Sequence, residues 1–327
     1  MTHNYATPKS KALFGHLPQG AIVAALLVLL LAAGTRTQTR WELVWSDEFT
    51  GPANSTINTN ADGWLFDIGT GYGCAGCPPN WGTGEVETMT DSLANVSLDG
   101  AGQLRITPIR DANGQWTSGR IETRRTDFRP PPGGVLAVEA SIQQPYVSGA
   151  QAAGYWPAFW MLGEPFRGNY LNWPSIGEID ILESVNGRAS VFATFHCGTL
   201  PGGPCNEPQG VGSGERLCAG CTTGFHTYRM ELDVSVSPNR IRWYLDGVNY
   251  YTLSAPSATI DTTTWANATN HGFFIILDVA MGGGFPAAFG GGPTAATASG
   301  APMLVDYVRV YRSVQPPSAP TNFHIVR

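Results

Sequence analysis

Past residue 35 the apolar positions recur with period two, not 3.6. Leu136, Val138, Ala140 and Ile142 alternate with their neighbours, which places them on one face of a strand. Val96 and Leu98 alternate ahead of Asp99-Gly100, and Leu104 and Ile106 behind it, the pattern of a hairpin with an extended turn. Residues 241–245 run into Asp246-Gly247 and then 248–253, a second hairpin. Residues 191–196, 273–279 and 304–311 are further strand candidates. No stretch in this region sustains the apolar period of a helix. About a dozen short strands punctuated by Gly and Pro predict an all-β chain folded as an antiparallel β-sandwich. Two glycine-rich segments, 202–214 and 281–292, precede no helix-like run. They read as surface loops suited to a cleft rim, not as phosphate cradles.

The two ends differ from this middle. Residues 21–33 form an unbroken apolar run, too short for a membrane span of roughly 20 residues. With Lys9 and Lys11 ahead of it and small residues at Ala32-Ala33-Gly34, it fits a secretory signal cleaved after Gly34. A retained N-terminal membrane anchor is the alternative for residues 1–34. Residues 314–327 form a Pro-rich tail or linker, and 35–313 one domain.

Composition narrows the function. Only 13% of residues are charged, the net charge is −6 and there is no basic run, which excludes a nucleic-acid partner. Ten tryptophans among 40 glycines and 24 prolines suit aromatic surfaces joined by many turns. The cysteines are even in number: Cys74, Cys77, Cys197, Cys205, Cys218 and Cys221. A signal-like N-terminus implies an oxidising compartment, so disulfides are expected. Cys197 with Cys205 and two short Cys-x-x-Cys loops are plausible pairings, but sequence leaves the connectivity open. Two Cys-x-x-Cys pairs also admit a zinc-ribbon reading.

The chemistry concentrates at Glu178-Ile179-Asp180-Ile181-Leu182-Glu183. Three acids in an otherwise apolar strand are not a solvated face, because Ile179, Ile181 and Leu182 mark the strand as buried. Glu178 and Asp180 share a face. Glu183, five residues from Glu178, falls on the opposite face of a regular strand, and one β-bulge would turn it back. Crowded carboxyls repel, so at least one pKa should rise. One ionised and one protonated carboxyl is what glycosidic cleavage requires. Glu178 is placed as nucleophile and Glu183 as acid/base, with Asp180 between them hydrogen-bonding Glu178 and helping to keep Glu183 protonated. Upstream, Trp156, Trp160 and Trp173 supply ring faces for sugar C–H groups, whereas Phe159 and Met161 read as core.

These segments resemble glycoside hydrolase family 16 in its laminarinase-like branch, the endo-β-1,3-glucanases. The family signature Glu-x-Asp-x-x-Glu on a bulged strand is matched in full by 178–183, and the lichenase branch lacks the extra residue. Trp156-Pro157-Ala158-Phe159-Trp160, Asn172-Trp173-Pro174, Trp45-Ser46-Asp47-Glu48-Phe49, Ser118-Gly119-Arg120-Ile121-Glu122-Thr123, Phe225-His226-Thr227-Tyr228 and 305–311 fall in the family's order. The resemblance implies a curved, concanavalin A-like β-jelly roll with an open concave cleft, and makes 35–313 the catalytic domain. It places Glu85 as a sugar-binding acid, although the usual Asn-Asn-Glu is Thr-Gly-Glu here. It also makes Arg124 and His196 cleft candidates. It implies a structural calcium at Asp306 with the Glu48 region as neighbour, and no cofactor for catalysis. The insert around Cys74–Cys77 and Cys197–Cys221 is not general in the family and is expected to narrow or extend the cleft. The function so implied is retaining endo-hydrolysis of β-1,3-glucan, with activity on mixed β-1,3-1,4-glucan, by a secreted monomer. A transglycosylase using the same acids and a non-catalytic β-glucan-binding protein are the alternatives. A membrane-anchored form applies if the N-terminal segment is retained.

Overall fold

The computed structural model describes residues 40–314; the apolar N-terminal run and the Pro-rich tail lie outside the described residues. Two large antiparallel sheets form a sandwich, as the period-two pattern predicts. One sheet runs, edge to edge, Val211–Gly212, Ser190–His196, Glu178–Glu183, Tyr155–Gly163, Phe273–Met281, Arg120–Thr123, Trp64–Phe66. It carries the three acids. The other runs Val248–Ala255, Asn239–Leu245, His226–Asp233, Val135–Gln143, Met303–Val314, Leu104–Ile106, Val96–Leu98, with Arg40–Asp47 also paired to Met303–Val314.

Leu136, Val138, Ala140 and Ile142 from one sheet and Ile179, Phe159 and Leu277 from the other meet in a single core. The Trp243 indole of the second sheet donates to the Asp180 carbonyl across that core, at 2.8 Å. A backbone oxygen of the acid strand is thereby satisfied inside the sandwich.

Both predicted hairpins are present. Leu98 pairs with Leu104, and Asp99 accepts the N–H groups of Ala101 and Gln103 to hold the wider turn. Leu245 pairs with Val248 across Asp246-Gly247, whose φ angles of 50° and 75° are those a tight two-residue turn demands. One eight-residue helix, Thr262–Thr269, was not foreseen. Asp261 caps it by accepting from Thr264 N–H, and Trp265 and Ala268 pin it to the sandwich. Its short amphipathic stretch gives too weak a period to read from sequence.

All six cysteines are paired, Cys74–Cys77, Cys197–Cys205 and Cys218–Cys221, and no free thiol remains among the described residues. The zinc-ribbon alternative is therefore corrected: each Cys-x-x-Cys closes on itself. No helix among the described residues is long and apolar enough to cross a membrane.

Candidate active site

The acid strand Glu178–Glu183 lies between Tyr155–Gly163 and Ser190–His196. Against Tyr155–Gly163, Leu182 pairs with Phe159 and Asp180 with Trp160, so Ile181 has no partner. On the other side Asp180 pairs with Thr194 and Glu183 with Phe192, three steps against two. That is the bulge the parity argument requires. It sends Ile181 and Leu182 into the core, at 1% and 0% exposure, and returns Glu183 to the face of Glu178 and Asp180. The strand starts from Gly177, whose φ is +74° and whose Cβ, were there one, would sit 2.1 Å from the Ala268 carbonyl oxygen. Only glycine admits that approach.

Each terminal carboxyl has its own indole donor. Trp173 Nε1 donates to Glu178 Oε2 at 3.0 Å, and Trp156 Nε1 donates to Glu183 Oε1 at 3.1 Å. The Thr194 hydroxyl lies 3.5 Å from Glu183 Oε2. His196, the register partner of Glu178, brings Nε2 to 3.3 Å from Asp180 Oδ2 and 3.7 Å from Glu178 Oε1. Its Nδ1 lies 2.7 Å from Glu207 Oε2.

Burial dominates the electrostatics. It raises the Glu183 carboxyl well above the ordinary range, and the charge of Asp180 adds to the effect. Glu178 is pushed up to about 8 by burial and by Asp180, against the pull of His196 and the Trp173 indole. Asp180 is raised by burial, opposed by its hydrogen bond to His196. Burial disfavours a charged His196, yet the bonds to Asp180 and Glu207 hold its pKa well above the usual value.

Trp156 and Trp173 thus meet the acids directly. Trp160 shares the face of Trp156 but has other partners: its indole donates to Asp278 Oδ1 at 2.7 Å and the Arg120 guanidinium stacks on its ring at 4.8 Å. Glu85 is buried beside Trp156. Gly283 separates them, and a Cβ there would meet the Trp156 ring at 3.2 Å and Glu85 Cγ at 3.5 Å. The Thr83 hydroxyl donates to Glu85 at 2.6 Å. The neighbouring Glu87 carboxyl is driven well above the usual range by burial and by the charge of Glu85.

Arg124 is placed elsewhere. It is exposed just past the end of Arg120–Thr123, and its guanidinium donates to the Thr59 carbonyl at 3.0 Å. The arginine on the acid face is Arg120, paired in register with Asp278 and ion-paired to Asp67 at 2.9 Å.

The expected calcium ligands are also apart in role. Both Glu48 oxygens accept from the Arg309 guanidinium, at 2.9 and 2.7 Å, so that side chain is committed to an ion pair. Asp306 is exposed at a bulge between Val305 and Tyr307, and no His, Cys or acid cluster forms around it among the described residues.

Residues that sequence reading missed complete the site. Asp278 carried a signal, a lone acid in the fully buried strand Phe273–Met281. Arg120 follows from it by register. Phe285, on the glycine-rich segment read as a rim, packs edge-on to Trp156 at 5.6 Å. Glu207 had no signal at all, sitting in a Gly/Pro loop.

An antiparallel sandwich with two indole-braced carboxyls on a bulged strand defines the glycoside-cleaving class of β-jelly rolls. Comparison with known proteins is specific. Residues 144–212 match the family model described as XgeA-like, catalytic GH16 domain. A glucan endo-1,3-beta-glucosidase of Cryptopygus antarcticus is 31% identical, over 81% of this chain and 88% of that protein. A beta-glucanase of Rhodothermus marinus is 30% identical, over 84% of this chain and 86% of its own length. The crystal structure of an endo-1,3-beta-glucanase from Streptomyces sioyaensis is 60% identical and superposes with a TM-score of 0.81, covering 87% of this chain and all of that one. The chain belongs to glycoside hydrolase family 16.

Proposed function

We propose that the protein is a retaining endo-hydrolase of β-1,3-glucan, with Glu178 as nucleophile and Glu183 as acid/base. The observation that carries this reading is the bulge at Ile181, which sets both carboxyls on one face with a separate indole N–H on each. Glu183, raised well above the usual carboxyl range by burial and by the charge of Asp180, enters the reaction protonated. Glu178 attacks the anomeric carbon while Glu183 gives its proton to the departing glycosidic oxygen. Glu183, now a carboxylate, takes a proton from water, and that water displaces Glu178 from the glycosyl ester. Two displacements at one carbon retain its configuration.

The names of the relatives support β-1,3-glucan as substrate, and mixed β-1,3-1,4-glucan remains within the same reading. A net charge of −6 favours a neutral glucan over a sulfated polymer. Three disulfides support export to an oxidising compartment.

Release of reducing ends from laminarin, lichenan, barley glucan and agarose tests the substrate, with laminarin expected to be cleaved fastest. Glu178→Ala should abolish cleavage of laminarin and of aryl glucosides alike. Glu183→Gln should slow laminarin by about 10²–10⁴-fold, the worth of a positioned general acid, and spare only the first step on aryl substrates whose leaving groups need no proton, so that the glycosyl-enzyme accumulates for want of a base. Unchanged laminarin cleavage by Glu178→Ala would remove the assignment.

A further inference from the structure

Glu207 stands outside the strand that carries the acids, yet its carboxyl is built into the site. It is buried, with its side chain fully enclosed. One oxygen lies 2.7 Å from His196 Nδ1, and the other accepts the Cys197 N–H at 2.8 Å. The loop that carries it is tied down at both ends of its span. The Cys197–Cys205 disulfide closes it covalently, and Gly202 and Glu207 exchange backbone hydrogen bonds of 2.7 and 2.6 Å. A carboxyl so enclosed is costly to bury unless its charge is matched. The match on hand is His196.

We propose that Glu207 is a positioning residue for the hydrolytic reaction: it fixes the His196 ring and holds it as an imidazolium wedged between Asp180 and Glu178. This rests on Glu178 being the nucleophile. The geometry assigns the protons. A carboxylate at Nδ1 accepts, so Nδ1 carries hydrogen. On the other side of the ring, Nε2 faces Asp180 at 3.3 Å and Glu178 at 3.7 Å, and an ionised Asp180 there favours a hydrogen on Nε2 as well. A ring protonated at both nitrogens is a cation, and it stands beside the nucleophile. Close packing leaves the ring no alternative pose: a Cβ on Gly210 would come within 2.8 Å of His196 Cε1, and Trp173 lies against the ring at 5.7 Å between centroids.

The charged groups that face this cluster are few. His196 meets Glu178 and Asp180 from its neighbouring strand and Glu207 from the loop. Glu178 is further flanked by the buried Tyr72 hydroxyl, whose pKa is itself raised, and Glu183 responds to Asp180, Glu178 and His196. Glu207 acts on Glu178 in two opposed ways. Its own negative charge disfavours ionisation of the nucleophile, and the imidazolium it stabilises favours it. The imidazolium is the nearer, with Glu207 on the far side of the ring, so its effect prevails. Glu207 thereby lowers the pH at which Glu178 becomes an attacking carboxylate. The Cys197–Cys205 clasp, part of an insert with no evident role of its own, is the anchor that makes this possible.

Glu207→Gln tests the idea, because the amide keeps the size and one acceptor oxygen for Nδ1 and removes the charge, at the loss of the bond from the Cys197 N–H. Laminarin hydrolysis should retain its KM within about twofold, and the acid limb of kcat/KM should move to higher pH by about one unit, equivalent to ~1.4 kcal/mol of lost carboxylate stabilisation. A profile unchanged in pH, or lowered equally at every pH, would overturn the proposal in favour of simple loop support. Nitrogen-15 NMR of the histidines in the unmodified enzyme gives a readout that needs no variant. His196 should show both ring nitrogens protonated at pH 7, and a neutral tautomer there would equally overturn it. Failure of the nucleophile assignment would look different, as persistent activity in Glu178→Ala.

Discussion

Trp173 Nε1 and Trp156 Nε1 each donate to one carboxyl, at 3.0 and 3.1 Å. A donor to a carboxylate favours the ionised form, so each indole holds its partner's pKa down against burial. The two carboxyls are needed in opposite states, which separates the consequences. With the proposed roles, the acid limb of kcat/KM follows ionisation of Glu178, and the alkaline limb follows loss of the proton from Glu183. Trp173→Phe removes the donor to Glu178, raises its pKa and should shift the acid limb upward by about one pH unit, the worth of a charge-assisted hydrogen bond. Trp156→Phe should leave that limb in place and shift the alkaline limb upward. A pH–rate profile of each variant on laminarin checks both signs. Movement of the same limb in both variants would contradict the assignment of roles. Trp160 belongs to neither limb, because its indole is committed to Asp278 and its ring to Arg120.

The acid strand shows how far an element can be read from sequence. Period two alone put Glu178 and Asp180 together and left Glu183 on the wrong face, and that conflict foretold the extra residue now found at Ile181. The hairpins at Asp99-Gly100 and Asp246-Gly247 were legible for a related reason: local turn chemistry fixes them without help from the rest of the chain. The helix Thr262–Thr269 was not legible, since its packing through Trp265 and Ala268 decides it more than its own period does. Site residues divide along the same line. Those on strands, such as Trp156, Trp173's neighbour Glu178 and His196, follow from parity and register. Glu207 depends on how a loop folds back over a strand eleven residues away, and no periodicity reports that. Arg124 shows the converse. It keeps the parity of Arg120 and Glu122, but the strand ends at Thr123 and its side chain turns to the Thr59 carbonyl.

At the scale of the molecule, one face of the sandwich collects buried acids whose folded pKa values lie above their unfolded ones. Glu178 is raised to about 8, and Glu122 and Asp278 to about 7, each mainly by burial. Such groups stabilise the fold fully below the unfolded carboxyl pKa and lose that contribution as pH rises through the folded values. Glu48, Asp127 and Glu215 behave oppositely: arginine partners lower them, so they support the fold once ionised and fail it only in strong acid. Stability should therefore peak near pH 5 and decline toward pH 8. At ~1.4 kcal/mol per group per pH unit, the thermal midpoint should fall by on the order of 10 °C across that range, measurable by calorimetry. A midpoint that is flat or rises from pH 5 to 8 would show that the cluster is solvated in the folded protein. The central claim is more local: that Glu178, joined on one face by Glu183 through the bulge, is the group on which the glycosyl intermediate forms. Inactivation with a 2-deoxy-2-fluoro-laminaribiosyl fluoride, followed by proteolysis and mass spectrometry, reads it directly. The account predicts a stable adduct on Glu178 alone; an adduct on Asp180 or Glu183, or turnover without any covalent intermediate, would contradict it.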